Sequence, residues 1–139
     1  MAISFKEVIK NVSLADIPHE HQVNIDELLK RVNIIRTAYA KAMNVSSGYR
    51  SKQDHIRIYS QKGITDQNKI PWGSQHLIGC AVDISDPKGE LQAWIKANPQ
   101  IIEQADLYLE DFSATVGWVH FQIKPFKSYK PGGTRFFKP

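Results

Sequence analysis

The sequence predicts an α+β domain in which helices pack on one face of a small antiparallel sheet. In the first half of the chain, apolar residues recur at helical spacing, whereas the second half contains short segments of alternating apolar and polar residues. Segregation of helical and strand-like segments along the chain is typical of α+β domains. The 139 residues have the length of one domain, so we expect residues 1–139 to form a single unit.

Three helices are predicted, at residues 24–42, 52–61 and 87–97, after a short helix or arm at residues 3–10. The first is the clearest, and Asn24 with Glu27 forms a candidate capping box at its start. Pro87 suits the first turn of the third helix, which Asn98 and Pro99 end. His55 is predicted to lie on an exposed face of the second helix and to be structural.

Four segments are predicted to be strands, at residues 44–49, 80–85, 107–111 and 117–124. In the second strand, Cys80, Val82 and Ile84 share an apolar face, so Asp83 points to the opposite face. The tail after residue 124 contains three prolines and a Gly-Gly pair, which indicates irregular, docked structure.

Composition narrows the class of partner. The net charge is +4, but there is no dense basic run and no basic stripe with interleaved aromatic residues, so no nucleic-acid partner is expected. No segment has the roughly 20 apolar residues needed to cross a bilayer, so no membrane insertion is expected.

Residues 1–10 do not have the pattern of a signal peptide. The single cysteine, Cys80, excludes an internal disulfide.

Alternation also brings ionisable side chains together. If the last three strands lie in one sheet, then Asp83, Glu110 and His120 project from its polar face, and His76 can reach that face from the preceding loop. Two histidines and one carboxylate make a three-ligand zinc site with a fourth position open for water. We therefore predict a Zn²⁺ site formed by His76, Asp83 and His120, with Glu110 nearby.

Three blocks of sequence then resemble a known family. Residues 76–83 are similar to the His-x-x-Gly-x-Ala-x-Asp signature of the zinc D-Ala-D-Ala carboxypeptidases and phage endolysin peptidases, which are related in fold to hedgehog-type and lysostaphin-type metal sites. Trp118-Val119-His120 resembles the second block of that family, and Ser47-Gly48-Tyr49-Arg50-Ser51 resembles a block that precedes both. The order and spacing agree over about residues 24–122.

The resemblance implies His76, Asp83 and His120 as zinc ligands and Arg50 as the arginine that holds the substrate or the developing oxyanion. Many family members place the catalytic glutamate three residues before the last histidine, where this chain has Gly117. The general base must therefore come from another position. Glu110 is favoured over Asp111, because Asp111 falls in phase with the apolar side chains of its strand.

Together these patterns favour a single-domain zinc metallopeptidase that hydrolyses peptide bonds of bacterial peptidoglycan, of phage or prophage origin and expected to be a monomer. Such a protein would stay in the cytoplasm until it is released to the cell wall or periplasm, or would be carried by a phage particle. The alternative is a non-catalytic, zinc-stabilised domain that binds peptidoglycan or belongs to a virion. The sequence does not identify the peptide bond that is cut, so both carboxypeptidase and endopeptidase activity are compatible with it.

Overall fold

A computed structural model describes residues 2–139 and has the α+β architecture that the sequence predicts. The helices are α1 (Phe5–Ile9), α2 (His19–Tyr39), α3 (Lys52–Gln61), α4 (Glu90–Ala97) and α5 (Gln100–Ala105). Short 3₁₀ turns lie at Leu14–Asp16, Gln67–Lys69, Gln75–Ile78 and Phe112–Ala114. Within residues 2–139, no helix combines the length and the apolar character needed to cross a membrane.

The strands are β1 (Asn44–Ser47), β2 (Ala81–Ser85), β3 (Tyr108–Glu110), β4 (Trp118–Gln122) and β5 (Phe136–Phe137), and they form one sheet in the order β1-β2-β4-β3-β5. The first four strands pair in antiparallel fashion, as expected. A fifth strand that the sequence did not predict, β5, pairs with β3 in parallel and makes the sheet mixed. The tail returns along β3, and its backbone accepts hydrogen bonds from Leu109 and Asp111.

The hydrophobic core lies between one face of the sheet and four helices. The sheet contributes side chains such as Val82, Ile84, Val119 and Phe121, all of them almost completely buried. Helices α1, α2, α4 and α5 supply the opposing side chains, among them Ile25 and Leu28 of α2. Burying a side chain of this size contributes roughly 1.5–3 kcal/mol. Because side chains alternate along a strand, this apolar face leaves the opposite face of β2 and β4 for polar residues.

Helices α2 and α4 differ from the predicted bounds. Helix α2 ends at Tyr39 and not at residue 42, and α4 begins at Glu90 and not at Pro87, because the Asp86 carboxylate accepts hydrogen bonds from the backbone N–H groups of Leu91 and Gln92. Helix α2 begins at His19, directly after Pro18, and not at Asn24. The Asn24 side chain does not cap a helix; its amide donates to the carbonyl oxygen of Ile78 at 2.9 Å. Pro99 ends α4, as expected, but it also begins α5, because its fixed backbone angle suits a helix start.

Candidate metal centre

His76 is held by a short 3₁₀ turn, Gln75–Ile78, that packs against α2. The Ser74 hydroxyl accepts a hydrogen bond from the backbone N–H of His76 at 3.4 Å, and Gly79 ends the turn with φ of +80°. A Cβ atom at Gly79 would lie 2.7 Å from Cγ1 of Ile25 and 2.8 Å from the carbonyl oxygen of His21. Glycine is therefore required here both by the left-handed backbone and by the close approach of α2.

Asp83 and His120 are direct partners across the antiparallel pair of β2 and β4. Nδ1 of His120 lies 2.8 Å from Oδ1 of Asp83, and Nε2 of His76 lies 3.3 Å from Oδ2 of the same carboxylate. The three residues each offer one ligand atom, all within 4.8 Å of one another, and all three side chains are buried. This group can hold a metal ion, and it is the set of residues that the sequence predicts as ligands.

The hydrogen bonding of His76 fits the role of a metal ligand. Its Nδ1 lies 2.8 Å from the carbonyl oxygen of Gly48. Because a carbonyl can only accept a hydrogen bond, Nδ1 carries the proton and Nε2 presents a lone pair toward Asp83. Metal-bound histidines commonly donate their other N–H to a carbonyl in this way. The donor set of two imidazole nitrogens and one carboxylate oxygen also suits a transition metal such as zinc.

Burial and mutual contact set the ionisation of the cluster. Burial tends to raise the pKa of Asp83, but His76 and His120 outweigh it and hold this pKa well below its usual range. Burial lowers the pKa of His76, and the attraction of Asp83 does not reverse the effect. Burial also tends to lower the pKa of His120, but its hydrogen bonds to Asp83 and Gln122 prevail and raise it. A metal ion bound by His120 and Asp83 would replace the proton that now joins them.

Arg50 lies at the edge of the same cluster. Its Nη2 is 3.8 Å from Oδ2 of Asp83, and its Nε donates to the Ser47 hydroxyl at 3.1 Å. The backbone N–H of Arg50 donates to the carbonyl oxygen of His76 at 3.1 Å. Together with the bond from His76 to Gly48, this contact joins the segment 47–51 to the segment 76–83.

His55 is fully buried, so its expected exposed position is wrong. Its Nε2 lies 3.0 Å from the carbonyl oxygen of Pro71, and its Nδ1 lies 3.5 Å from Nη1 of Arg50. The loop 62–75 covers this ring, and the rings of His55 and Trp72 are 5.4 Å apart. His55 therefore lies between Arg50 and the loop that borders the cleft, and burial lowers its pKa.

The side chains of Glu110 and Asp111 border different clefts. Oε1 of Glu110 lies 3.9 Å from Nδ1 of His120, and its side chain is 18% exposed. Burial raises the pKa of Glu110, and the negative charge of Asp83 adds to the effect. The Asp111 carboxylate instead accepts hydrogen bonds from the backbone N–H and the hydroxyl of Ser113, beside a separate groove next to α4. Glu110 therefore lies on the face of His120, as strand alternation predicts, whereas Asp111 lies beyond the end of β3 and caps the 3₁₀ turn Phe112–Ala114.

A cleft of about 710 Å³ opens over the cluster. Its lining includes the three candidate ligands, Arg50, Glu110 and Trp118, together with Lys62 and Lys127. The tail forms one wall, where the rings of Phe126 and Phe137 are 5.2 Å apart and Phe137 meets the ring of His120 edge-on at 6.0 Å. This aromatic wall was not predicted. The only sequence signal for it is the recurrence of aromatic residues among the prolines and glycines of the tail.

The chain matches no protein-family model, no curated protein and no solved structure.

Proposed function

We propose that this protein is a zinc metallopeptidase that hydrolyses peptide bonds in bacterial peptidoglycan. One observation carries the proposal: the buried group of His76, Asp83 and His120 shares a cleft with a carboxylate, Glu110, 3.9 Å from His120. Three protein ligands with an open position beside a general base are the arrangement of a catalytic zinc site. The resemblance of the three motifs to the zinc D-Ala-D-Ala carboxypeptidases and phage endolysin peptidases supports peptidoglycan as the substrate.

His76, Asp83 and His120 would hold the ion. A zinc ion in this position supplies a Lewis acid for the peptide carbonyl and lowers the pKa of water to about 7. Glu110 accepts a proton from the attacking water at its carboxylate and then delivers that proton to the leaving amine. Its raised pKa suits this transfer, because a base with a pKa closer to neutrality can both take and return a proton.

Arg50 orients the substrate. Its guanidinium is anchored through Nε to Ser47 and faces Asp83 through Nη2, so the planar group is held in one orientation at the cleft. A planar guanidinium can donate two parallel hydrogen bonds to a carboxylate or to a developing oxyanion. Peptidoglycan stem peptides carry carboxylates, and Lys62 and Lys127 add positive charge to the lining of the cleft.

The second candidate is a zinc-stabilised domain that binds peptidoglycan or a virion component without catalysis. Gly117 favours it, because the position where many relatives carry their glutamate has no side chain. Against it stands Glu110, whose carboxylate reaches the same cluster from the neighbouring strand β3.

Digestion of purified peptidoglycan separates the two candidates. The zinc-loaded protein should release soluble fragments with new amino and carboxyl ends, and mass spectrometry of the fragments identifies the bond that is cut. Incubation with Glu110→Gln protein under the same conditions is the matched control. If the fully zinc-loaded wild-type protein binds peptidoglycan tightly but leaves it intact, the result would favour the non-catalytic domain.

A further inference from the structure

Gln122 lies in contact with the candidate metal ligand His120 on the same face of strand β4. Two residues apart on a strand, the side chains point the same way. Oε1 of Gln122 lies 2.7 Å from Nε2 of His120, on the side of the ring that faces away from Asp83. Gln122 is 4% exposed, so water competes little for this hydrogen bond.

The orientation of the Gln122 amide follows from its second contact. Its Nε2 donates to the carbonyl oxygen of Lys124 at 2.9 Å. A carbonyl oxygen accepts and never donates, so the NH₂ group must face Lys124 and the amide oxygen must face His120. The reversed amide would place two acceptors against each other at Lys124.

The proton on the His120 ring is fixed as a consequence. An amide oxygen can only accept a hydrogen bond, so Nε2 of His120 must carry a hydrogen. The other ring nitrogen, Nδ1, faces Asp83 and donates its hydrogen to that carboxylate in the metal-free protein, so Nδ1 is the atom at which a metal ion would replace a proton. The two ring nitrogens of His76 have the opposite roles, because Nδ1 donates its hydrogen to the Gly48 carbonyl and Nε2 is the nitrogen left for a metal ion.

We propose that Gln122 is a positioning residue that fixes the tautomer and ring orientation of His120, so that Nδ1 is the atom that binds the metal. The proposal rests on the metal site of the proposed function. The carbonyl of Lys124, the amide of Gln122 and the imidazole of His120 form a chain of hydrogen bonds that selects this ligand atom. Loss of such an outer partner lowers metal affinity by about 10-fold to 100-fold in other proteins.

Three variants test this role. Gln122→Met keeps the length of the side chain but has no strong acceptor for the N–H of His120. Gln122→Glu keeps an acceptor for the N–H of His120 but gives up the donor to Lys124, so it serves as the partial rescue variant. Gln92→Met is the matched control, because Gln92 also uses its amide for hydrogen bonds in a partly buried position, to the carbonyl oxygens of Thr115 and Trp118, and none of its hydrogen bonds is to His120.

The first readout is nitrogen-15 NMR of the histidine rings in the zinc-loaded protein. Wild-type protein should show zinc on Nδ1 of His120 and a hydrogen on Nε2, and Gln122→Met should lose this single arrangement. A wild-type spectrum with zinc on Nε2 and the hydrogen on Nδ1 overturns the proposal. Because the spectrum reports on metal binding and not on hydrolysis, this result stands even if the protein proves not to be a peptidase.

The second readout is zinc affinity, measured by competition with a chromophoric chelator. Gln122→Met should bind zinc about 10-fold to 100-fold more weakly, the scale expected for a lost outer partner. Gln122→Glu should recover part of the affinity, and Gln92→Met should bind zinc like the wild type. Wild-type affinity in Gln122→Met, or equal losses in Gln122→Met and Gln92→Met, would contradict a specific role for Gln122.

Discussion

Nδ1 of His120 lies 2.8 Å from Oδ1 of Asp83, and the two residues are register partners across β2 and β4 although 37 positions separate them in sequence. This pairing fixes the centre of the candidate site. A shift of the pairing by one residue would turn one of the two side chains into the core, and the buried apolar residues on the opposite face prevent such a shift. The same packing that stabilises the sheet therefore holds these two ligands together.

Glu110 is expected to be the general base, and Glu110→Gln tests this directly. The amide preserves the shape of the side chain but cannot accept a proton, so peptidoglycan hydrolysis should fall about 100-fold or more. Zinc content, measured by atomic emission, should stay unchanged. Asp111→Asn is the control, because Asp111 bonds to Ser113 outside the cleft and should affect hydrolysis much less. The reverse ranking of the two variants would contradict the assignment.

Glu110→Gln is also expected to change the pH dependence of the free energy of unfolding. Burial raises the pKa of Glu110 above its ordinary value of 4.5 in the folded protein, so the ionised carboxylate opposes folding. This cost is present above the raised pKa and disappears as the pH falls below the ordinary pKa. Metal-free Glu110→Gln should therefore have a free energy of unfolding equal to or above that of the wild type at pH 8, with no such advantage at pH 4. Chemical denaturation at both pH values measures it, and a less stable variant at pH 8 would count against the prediction.

Arg50→Lys is expected to separate substrate positioning from metal binding. Lysine keeps the positive charge but loses the planar group that Ser47 and Asp83 orient. Turnover should fall about 10-fold to 100-fold, the equivalent of one hydrogen bond to a charged group at about 1.5–3 kcal/mol, with zinc content unchanged. Arg57→Lys is the matched control, since Arg57 is an exposed residue of α3 that pairs with Asp54. Full activity in Arg50→Lys would show that Arg50 has no role in the reaction.

Gly79→Ala is expected to destabilise the turn that carries His76. A left-handed backbone costs a non-glycine residue about 1–2 kcal/mol, and the new Cβ would also press against Ile25 and the backbone of His21. Gly73→Ala is the control, because no atom lies within 4 Å of a Cβ at Gly73 and its backbone is not left-handed. Thermal denaturation should show a clear loss for Gly79→Ala only. Equal stability of the two variants would contradict the prediction, because it would show that the turn accepts a Cβ atom at position 79 without strain.

The sequence was sufficient to predict the sheet faces, because alternation in residues 80–85 and 117–124 places the large aliphatic side chains on one side and the ionisable side chains on the other. It therefore predicted the side of the sheet on which Asp83, Glu110 and His120 lie. It could not predict β5, since two aromatic residues among prolines and glycines carry no strand pattern and pair with β3 only once the tail docks. The α5 helix was also missed. Its six residues are too few to show a helical pattern, and Pro99 was interpreted only as the end of α4 and not as the start of a new helix.

The burial of His55 shows a second limit of local patterns. Nothing in the ten residues of α3 indicates that this ring is enclosed, because the enclosure comes from Pro71 and Trp72 of the following loop. Contacts between segments distant in sequence also fix the ligand atoms of the histidines. His76 depends on Gly48, 28 positions earlier, so spacing identifies it as a ligand but does not select the nitrogen that binds.

Titration of zinc into metal-free protein, with hydrolysis of purified peptidoglycan as the readout, tests the central claim most directly. The release of new amino groups should rise with added zinc and reach its plateau at one equivalent per chain, and a chelator should abolish it reversibly. His120→Ala should neither bind zinc tightly nor hydrolyse peptidoglycan, whereas His19→Ala, at an exposed position, should behave like the wild type. Stoichiometric zinc binding without any release of amino groups, or hydrolysis that is unaffected by the chelator, would contradict the account.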